Sequence, residues 1–485
     1  MSFSSRRRNY LLTPHRRDGL IEWMKKMLSH SFVLDCLGTT GADTFSHFEL
    51  LIEEHRKWEA TSKDRAPSRL KQLVPTIGTF HTNLPLREAF LFYNKKHGLT
   101  NRKHIQISFN EIRHILNYAQ IMALRDTVIV AKNNNGDNPE DSASDVNASD
   151  DNNDDNKAFN GPNLITFDGD QTLYSDGSNF DHNPELANYL YKLIKHGVFI
   201  AVVTAAGYEY NVEKYEFRLS GLLAFFKSKG LTPEECDRFF LFGGECNYLL
   251  KLGNDYKLQP IKEDGPGGWF TATRHLEEAP CNWNEADVTG LLDLAETSFH
   301  NSIKNMHIRG RVIRKKRSVG LVPTPGMEIP REALDETVLA LQDTLTSMGS
   351  APGVDLPRCI FNGGTDGWCD CGNKRVGVMM LQSYLGVSAV KTLHIGDQFL
   401  NTGNDFAART VCPCIWITSP DETTYILKSI LRLAGLGVSM AENSTKKPDF
   451  KRAASLDFTE AERRSKAVKV MDVYTGEIIS KETHS

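Results

Sequence analysis

Apolar positions recur along this chain with two different periods, and the change of period divides it. Near the N-terminus, Leu20, Ile21, Met24, Met27 and Leu28 repeat at helical spacing, with Lys25 and Lys26 on the opposite face. Further on, Ser108-Phe109-Asn110-Glu111 has the form of a capping box. Ile112, Ile115, Leu116, Ala119 and Met122 follow it as an apolar stripe. Leu73 to Phe80 breaks both stripes and reads as an irregular packed connection. Residues 1–130 are therefore expected to form a mainly helical region.

From about Asn133 to Asn160 the pattern disappears, and Asn, Asp, Ser and Gly dominate. Such a stretch cannot bury enough apolar area to offset its ordering entropy, so residues 131–161 are expected to be a disordered acidic linker. A calcium loop of the EF-hand type needs a Gly and a Glu at fixed positions, and neither can be placed there.

Beyond Pro162, short apolar runs alternate with amphipathic helices. Leu164–Phe167 ends at Asp168. Asn183 and Pro184 form an N-cap and first-turn pair, Leu186, Leu190, Leu193 and Ile194 line one helix face, and Gly197 stops the helix. Val198 to Thr204 is continuously apolar until its last residue, which implies burial on both sheet faces, as in a parallel sheet between helices. Leu393–Asp397 and Ile415–Thr418 read as further strands. Val376, Met380 and Tyr384 share a helix, and Ser419-Pro420-Asp421-Glu422 opens another. The stretch between Thr204 and Lys374 is far longer than the roughly 2–6 residues of a βα loop, so it must hold an inserted domain. That domain reads as mixed: a helix from near Asn284, a strand from Arg311 to Val322, and a helix after Pro330. The expected extents are 162–245 and 361–440 for the two parts of the α/β core and 246–360 for the insertion. The charged tail, 441–485, is expected to be largely disordered.

The chain has 485 residues, about three domain-sized units, with 40% hydrophobic and 24% charged residues and a formal charge of −4. That near balance gives no electrostatic reason to expect nucleic-acid binding. No apolar run reaches the length of a membrane span, about 18 residues. The arginines at positions 6–8 resemble a mitochondrial presequence, but Asp18 and Glu22 interrupt its acid-free pattern. Nine cysteines without a disulfide spacing make a reducing, cytoplasmic location the expectation. Cys369-x-Cys371 and Cys412-x-Cys414 are too tightly spaced for an ordinary four-thiolate zinc site and read as small buried residues near strand ends.

Four pieces of chemistry sit at strand ends, where open α/β sheets bind ligands. Asp168-Gly169-Asp170 places two carboxylates just past a buried strand, one able to act as nucleophile and the other as general acid and base. Thr204 ends an otherwise apolar strand. Lys374, at a helix start, can hold a phosphate oxygen. Gly396-Asp397-Gln398, with Gly403-Asn404-Asp405 behind it, can complete a magnesium shell of oxygen ligands. Each piece alone reads as a turn residue, a strand-end hydroxyl or a surface charge. Their order along the chain makes one site.

That order resembles the haloacid dehalogenase superfamily of aspartyl phosphohydrolases. Its motifs match Asp168–Leu173, Thr204, Lys374, and Asp397 with Asp405, and the insertion resembles its C2-type cap. The strand Phe239–Phe242 with Gly243-Gly244-Glu245 resembles the element that follows the second motif in capped members. From about Tyr10 to Leu436 the chain is similar to the IMP-specific 5′-nucleotidase family. The matches include Leu73–Phe80, Arg113-His114-Ile115-Leu116-Asn117, Thr166–Asp170, Val203–Tyr208, Tyr215–Leu219, Trp368-Cys369-Asp370 and His394–Phe399.

The resemblance implies an α/β fold: a Rossmannoid parallel sheet core with an α+β cap and an N-terminal helical region for regulation and oligomerisation. It implies Mg2+-dependent hydrolysis of IMP to inosine and phosphate through an aspartyl-phosphate. Asp168 would be the nucleophile and Asp170 the general acid and base. Asp168, Asp397 and the backbone carbonyl of Asp170 would bind the metal. Asp170, Asp176, Thr204, Asp366 and Lys374 would bind substrate. ATP would act as an allosteric activator at the helical region, with Arg113 and His114 as its contacts, in a homo-oligomer. Arg218 is open between substrate binding and a structural pair. Two other readings stand beside this one: a phosphatase for another nucleotide or a sugar phosphate, and a non-catalytic binding protein on the same fold.

Overall fold

A computed structural model describes residues 18–29, 41–61, 66–101, 107–133, 159–175, 178–180, 183–348, 355–400, 402–436, 470–471 and 478–479. Most of the acidic linker and of the tail lies outside the described residues. Met1–Val438 and Ser439–Ser485 form two separate units. In the second, Val470–Met471 pairs antiparallel with Ile478–Ile479. Among the described residues, no helix is long and apolar enough to cross a membrane.

The N-terminal region folds into α1 (Gly19–Ser29), α2 (Gly41–Thr61), α3 (Leu86–His97) and α4 (Phe109–Asn133). Their apolar stripes meet in one cluster that includes Met24, Phe45, Phe48, Phe90 and Ile115. The expected capping box opens α4: the Glu111 N–H donates to Ser108 Oγ at 3.2 Å, and the Ser108 N–H donates to Glu111 Oε2 at 2.8 Å.

The core begins with β1 (Leu164–Phe167), α5 (Pro184–Lys195) and β2 (Phe199–Val203). Asn183 Oδ1 accepts from the Leu186 N–H at 3.0 Å, as its place before Pro184 implies. α6 (Val212–Arg218) and α7 (Ser220–Lys229) lead to β3 (Phe239–Gly243), β4 (Tyr248–Leu252) and β5 (Leu258–Pro260). The insertion contributes α8 (Glu285–Met306), β6 (Gly310–Arg314), β7 (Ser318–Pro323), α9 (Arg331–Ser347), β8 (Arg358–Asn362) and β9 (Gly367–Cys371). The core then resumes with α10 (Lys374–Leu385), β10 (Thr392–Gly396), β11 (Cys414–Trp416) and α11 (Pro420–Leu433).

The central sheet has the order β11-β10-β1-β2-β3-β4-β5. Strands β11 to β3 are parallel, and β4 and β5 add antiparallel. Helices cover both faces, which is why β1 and β10 are buried at every position. One face packs Leu190, Phe226 and Ile426 from α5, α7 and α11, and the other packs Val376 and Met380 from α10. The second sheet, β6-β7-β9-β8, is antiparallel, with α8 and α9 on one face. This is the haloacid dehalogenase-like α/β architecture.

Two expectations change. The single strand read from Arg311 to Val322 is the hairpin β6–β7, closed by the Lys315 N–H donating to Ser318 O at 2.8 Å. Its turn, Lys315-Lys316-Arg317, lacks the Gly, Pro, Asn or Asp that marks most turns. Against the expected extents of the insertion, sheet pairing carries β4 and β5 to the core and residues 361–371 to the second sheet. Apolar runs do not encode which strand a neighbour will pair with.

Candidate active site

Because β10, β1 and β2 lie side by side and parallel, their carboxyl ends bring Asp397, Asp168 and Thr204 to one edge of the sheet. Lys374, the first residue of α10, enters the same edge, with Asn373 Oδ1 capping its helix through the Val376 N–H at 3.0 Å. Lys374 is fully buried. Its Nζ lies 2.6 Å from Asp168 Oδ1 and 2.6 Å from Asp405 Oδ1. Burial works against its charge, but Asp168, Asp405 and Glu245 outweigh that and hold its pKa above the ordinary lysine value.

Oxygens of Asp168, Asp397 and Asp405 lie within 4.8 Å of one another. Burial drives the Asp168 carboxyl up to about 7, helped by the charges of Asp405 and Asp170 and opposed by Lys374. Asp397 is pushed well above the usual carboxylate range by burial and by Asp168, and its Oδ1 is a buried atom without a hydrogen-bond partner among the described residues. Asp405 behaves oppositely. Burial opposes its charge, but Lys374 and His394 hold its pKa below the ordinary value. The Gln398 N–H donates to its Oδ2 at 2.8 Å. Burial lowers the pKa of His394 and keeps the ring neutral. Its Nε2 lies 2.9 Å from Asp405 Oδ1 and its Nδ1 lies 2.8 Å from Thr166 Oγ1. A carboxylate only accepts, so Nε2–H donates to Asp405 and Nδ1 accepts from Thr166. Gly396 makes this approach possible, because a Cβ there would lie 2.3 Å from Asp405 Oδ2.

Asp170 takes a different partner: Arg218 NH2 donates to its two oxygens at 2.5 and 2.7 Å. Arg218 also lies over the Tyr174 ring at 4.9 Å. The open alternative for Arg218 is thus an ion pair to Asp170 in this structure. Thr204 is buried, with its N–H donating to Phe242 O at 3.0 Å and its Oγ1 accepting from the Ala206 N–H at 3.1 Å. Its Oγ1 is 3.2 Å from where a Cβ on Gly169 would stand, so the hydroxyl sits against the Asp168–Asp170 turn. Asp366 lies half-buried in the β8–β9 turn of the second sheet. Asp176 lies outside the described residues.

Arg113 and His114 have other partners, at the end of β11 and the start of α11. Arg113 NH1 donates to Trp416 O at 2.6 Å and to Glu422 Oε1 at 2.8 Å, and His114 Nδ1 lies 3.1 Å from the same Glu422 oxygen. Arg113 also lines a cavity of about 330 Å³ between the N-terminal helices and the core, together with Asp18, Thr79, Asn117, Arg409 and Trp416. His114 is not part of that wall.

Sequence reasoning gave no site role to Glu245, His394 or Asp370. Glu245 is fully buried, accepts from Asn404 Nδ2 at 3.0 Å, and is raised to about 8 by burial and by Asp168 and Asp405 against the pull of Lys374. Its Oε2 has no hydrogen-bond partner among the described residues. Asp370 is buried on β9 and raised well above the usual range by burial and by Glu245. The signal in each case is a polar residue inside or just past an otherwise apolar strand.

The donor set of the cluster is all oxygen, Asp168 and Asp405 are buried and Asp397 half-buried, and Asp397 Oδ1 has no hydrogen-bond partner among the described residues. This suits a hard divalent cation. Asp168 and Asp397 have the capacity for it, whereas Asp405 is already engaged by Lys374, His394 and Gln398.

The sequence profile of the IMP-specific 5′-nucleotidase family matches residues 38–427. An IMP-specific 5′-nucleotidase 1 of Yarrowia lipolytica is 36% identical, over 87% of this chain and 96% of that relative. One from Neurospora crassa is 35% identical, over 89% and 98%. Among solved structures, an IMP-bound mutant of the Plasmodium falciparum IMP-nucleotidase superposes with a TM-score of 0.70 at 33% identity, covering 86% of this chain and 94% of that one. An ATP-bound form of the same Plasmodium enzyme gives 0.68 at 32%, covering 88% of each chain. The likeness runs through the helical region, the core and the inserted domain alike, and this chain belongs to the IMP-specific 5′-nucleotidase family.

Proposed function

We propose that this phosphomonoester hydrolase cleaves the 5′-phosphate of IMP, giving inosine and phosphate through an aspartyl-phosphate on Asp168. The observation that carries the reading is the buried Asp168–Lys374–Asp405 array beside Asp397. Asp168 Oδ1 attacks phosphorus, and the bond to the 5′-oxygen breaks. Asp170 gives its proton to that leaving oxygen. It then takes a proton from the water that attacks the aspartyl-phosphate, which frees phosphate and restores Asp168. Lys374 and Thr204 hold the transferring phosphoryl oxygens, Lys374 by charge and Thr204 by its hydroxyl. Asp405 fixes the Lys374 ammonium, and His394 fixes Asp405. Asp168, Asp397 and the carbonyl of Asp170 hold Mg2+, which when bound neutralises charge between nucleophile and phosphate. The Arg218 pair positions Asp170 before substrate arrives, and it opens for Asp170 to carry the proton it gives to the leaving oxygen. Asp176 and Asp366 bind the nucleoside.

ATP activates from the cavity between the N-terminal helices and the core, with Arg113 in its wall and His114 behind it on the shared Glu422. The ATP-bound relative supports this reading. A cytoplasmic homo-oligomer completes it, in keeping with the free cysteines among the described residues. The test is phosphate release from a panel of nucleoside monophosphates and sugar phosphates, with and without Mg2+ and ATP. A flat substrate profile would reject IMP specificity, and metal-independent turnover would reject the metal site.

A further inference from the structure

The inserted sheet packs one face against α8 and α9 and turns the other away from them, and register fixes which residues lie on each. Val319, Leu321, Ile360, Cys369 and Cys371 pack against α8 and α9. The alternate positions, among them Ile313, Gly320, Phe361, Trp368 and Asp370, share the other face. Both ends of the β8–β9 hairpin are tied to the catalytic edge. At one end the Asn362 N–H donates to Thr402 O at 3.0 Å, in the loop that leads to Asp405. At the other, Asn247 Nδ2 donates to Cys371 O at 2.7 Å, close to Glu245. Lys374 follows three residues after the end of β9. The face that carries Trp368 and Asp370 therefore borders the acid cluster.

Trp368 is the largest side chain on this face and is partly exposed. Its indole lies against Gly320 of the neighbouring strand: a Cβ there would stand 2.5 Å from the six-membered ring, so any other residue would lift the indole off the sheet. Lys315, exposed on the β6–β7 turn, places Nζ 4.6 Å from the indole centroid. Asp370, two residues nearer the cluster on the same face, is buried, and its Oδ1 has no hydrogen-bond partner among the described residues.

We infer that Trp368 and Lys315 read the purine: the base stacks on the Trp368 indole, and its 6-oxo oxygen accepts a hydrogen bond from the Lys315 ammonium. This deepens the nucleotidase reading and rests on it. The sheet-backed indole is a rigid platform, and an aromatic face takes any purine. Discrimination comes from Lys315. An ammonium carries three donors and no acceptor, so it pairs with an oxygen at position 6 and meets the amino group of adenine there donor to donor. Its flexible stem lets the ammonium move from above the indole to the rim of a stacked base.

Steady-state kinetics with IMP, AMP and ribose 5-phosphate test both roles. Trp368→Ala is expected to lower the ratio of kcat/KM for IMP to that for ribose 5-phosphate by roughly 10- to 100-fold, and Trp368→Phe restores most of it. If the alanine variant does not fold, Trp368→Leu, which keeps apolar bulk without a ring, is read in the same way. Lys315→Met, at an exposed position, is expected to lower the IMP-to-AMP ratio by about 10-fold. A merely structural role would depress all substrates together and leave both ratios fixed. Unchanged ratios in the Trp368 variants overturn the platform, and an unchanged IMP-to-AMP ratio in Lys315→Met overturns the role of Lys315. A wild-type enzyme with no preference for IMP over ribose 5-phosphate would overturn the nucleotidase reading, and the base platform with it.

Discussion

Glu422→Gln is expected to destabilise the protein in a pH-dependent way that isolates one buried contact. Glu422 Oε1 receives Arg113 and His114 from α4, and its Oε2 accepts the Thr418 N–H and hydroxyl, both at 2.9 Å. Burial alone would raise its pKa, but the hydrogen bond from His114 and the Arg113 and His114 charges outweigh it and bring the carboxyl from 4.5 down to about 2. A depression of that size is worth about 3 kcal/mol. It lies within the range for removing one partner of a buried pair. The folded-state pKa is depressed, so this stabilisation is complete above the unfolded pKa near 4.5 and is lost as pH falls toward 2. The gap in unfolding free energy between wild type and Glu422→Gln, measured by urea titration, should be about 3 kcal/mol at pH 7 and shrink steadily below pH 4.5. A gap that stays constant from pH 7 to pH 3 would show that the carboxylate charge is not what joins α4 to α11.

Asp168→Asn is expected to lower phosphate release from IMP at least ~1000-fold, and wild-type turnover in that variant would remove Asp168 as nucleophile. His114→Ala is expected to reduce the fold-activation by ATP, because His114 shares Glu422 with the Arg113 that lines the cavity. An unchanged ATP response would place the effector elsewhere.

The parallel core was legible because strands buried on both faces must be continuously apolar. Val198–Val203 has that form and Leu164–Phe167 departs from it only at Thr166, and their pairing brings Asp168 and Thr204 to one edge. The β6–β7 hairpin was not legible, because its turn is three charged residues and nothing local distinguishes them from a strand's exposed side. Within the site, acids at strand ends declared themselves. His394 did not: as a lone polar residue in Leu393-His394-Ile395 it reads as solvent-facing alternation, and only the proximity of Asp405, set by Gly396, makes it a buried donor. Glu245 was hidden for a related reason. It follows a glycine turn, where a carboxylate is unremarkable, and its burial depends on Gly372 arriving from the far end of the insertion, with no room for a Cβ beside Glu245 O.

The charge balance of the site leads to a last prediction. Asp168, Asp397, Asp405 and Glu245 are gathered around the Lys374 ammonium, while the His394 ring is held neutral. Asp405 keeps its charge at the expense of its neighbours. Burial and the Asp405 charge leave Asp168 raised to about 7, and burial with the Asp168 and Asp405 charges pushes Asp397 well above the usual carboxylate range. The unfolded chain releases those protons near 3.8. In the metal-free protein these raised values therefore erode stability as pH climbs from about 4 through 7, because the unfolded state ionises first. Mg2+ binds only the ionised carboxylates, and its binding supplies the positive charge that lets both ionise inside the fold. The rise in Tm produced by a fixed Mg2+ concentration should accordingly be larger at pH 8 than at pH 6, which a thermal-shift series reads directly. Equal rises at the two values would mean that Asp168 and Asp397 do not have to lose protons to hold the ion. The metal would then be bound by groups other than Asp168 and Asp397 at the ends of β1 and β10.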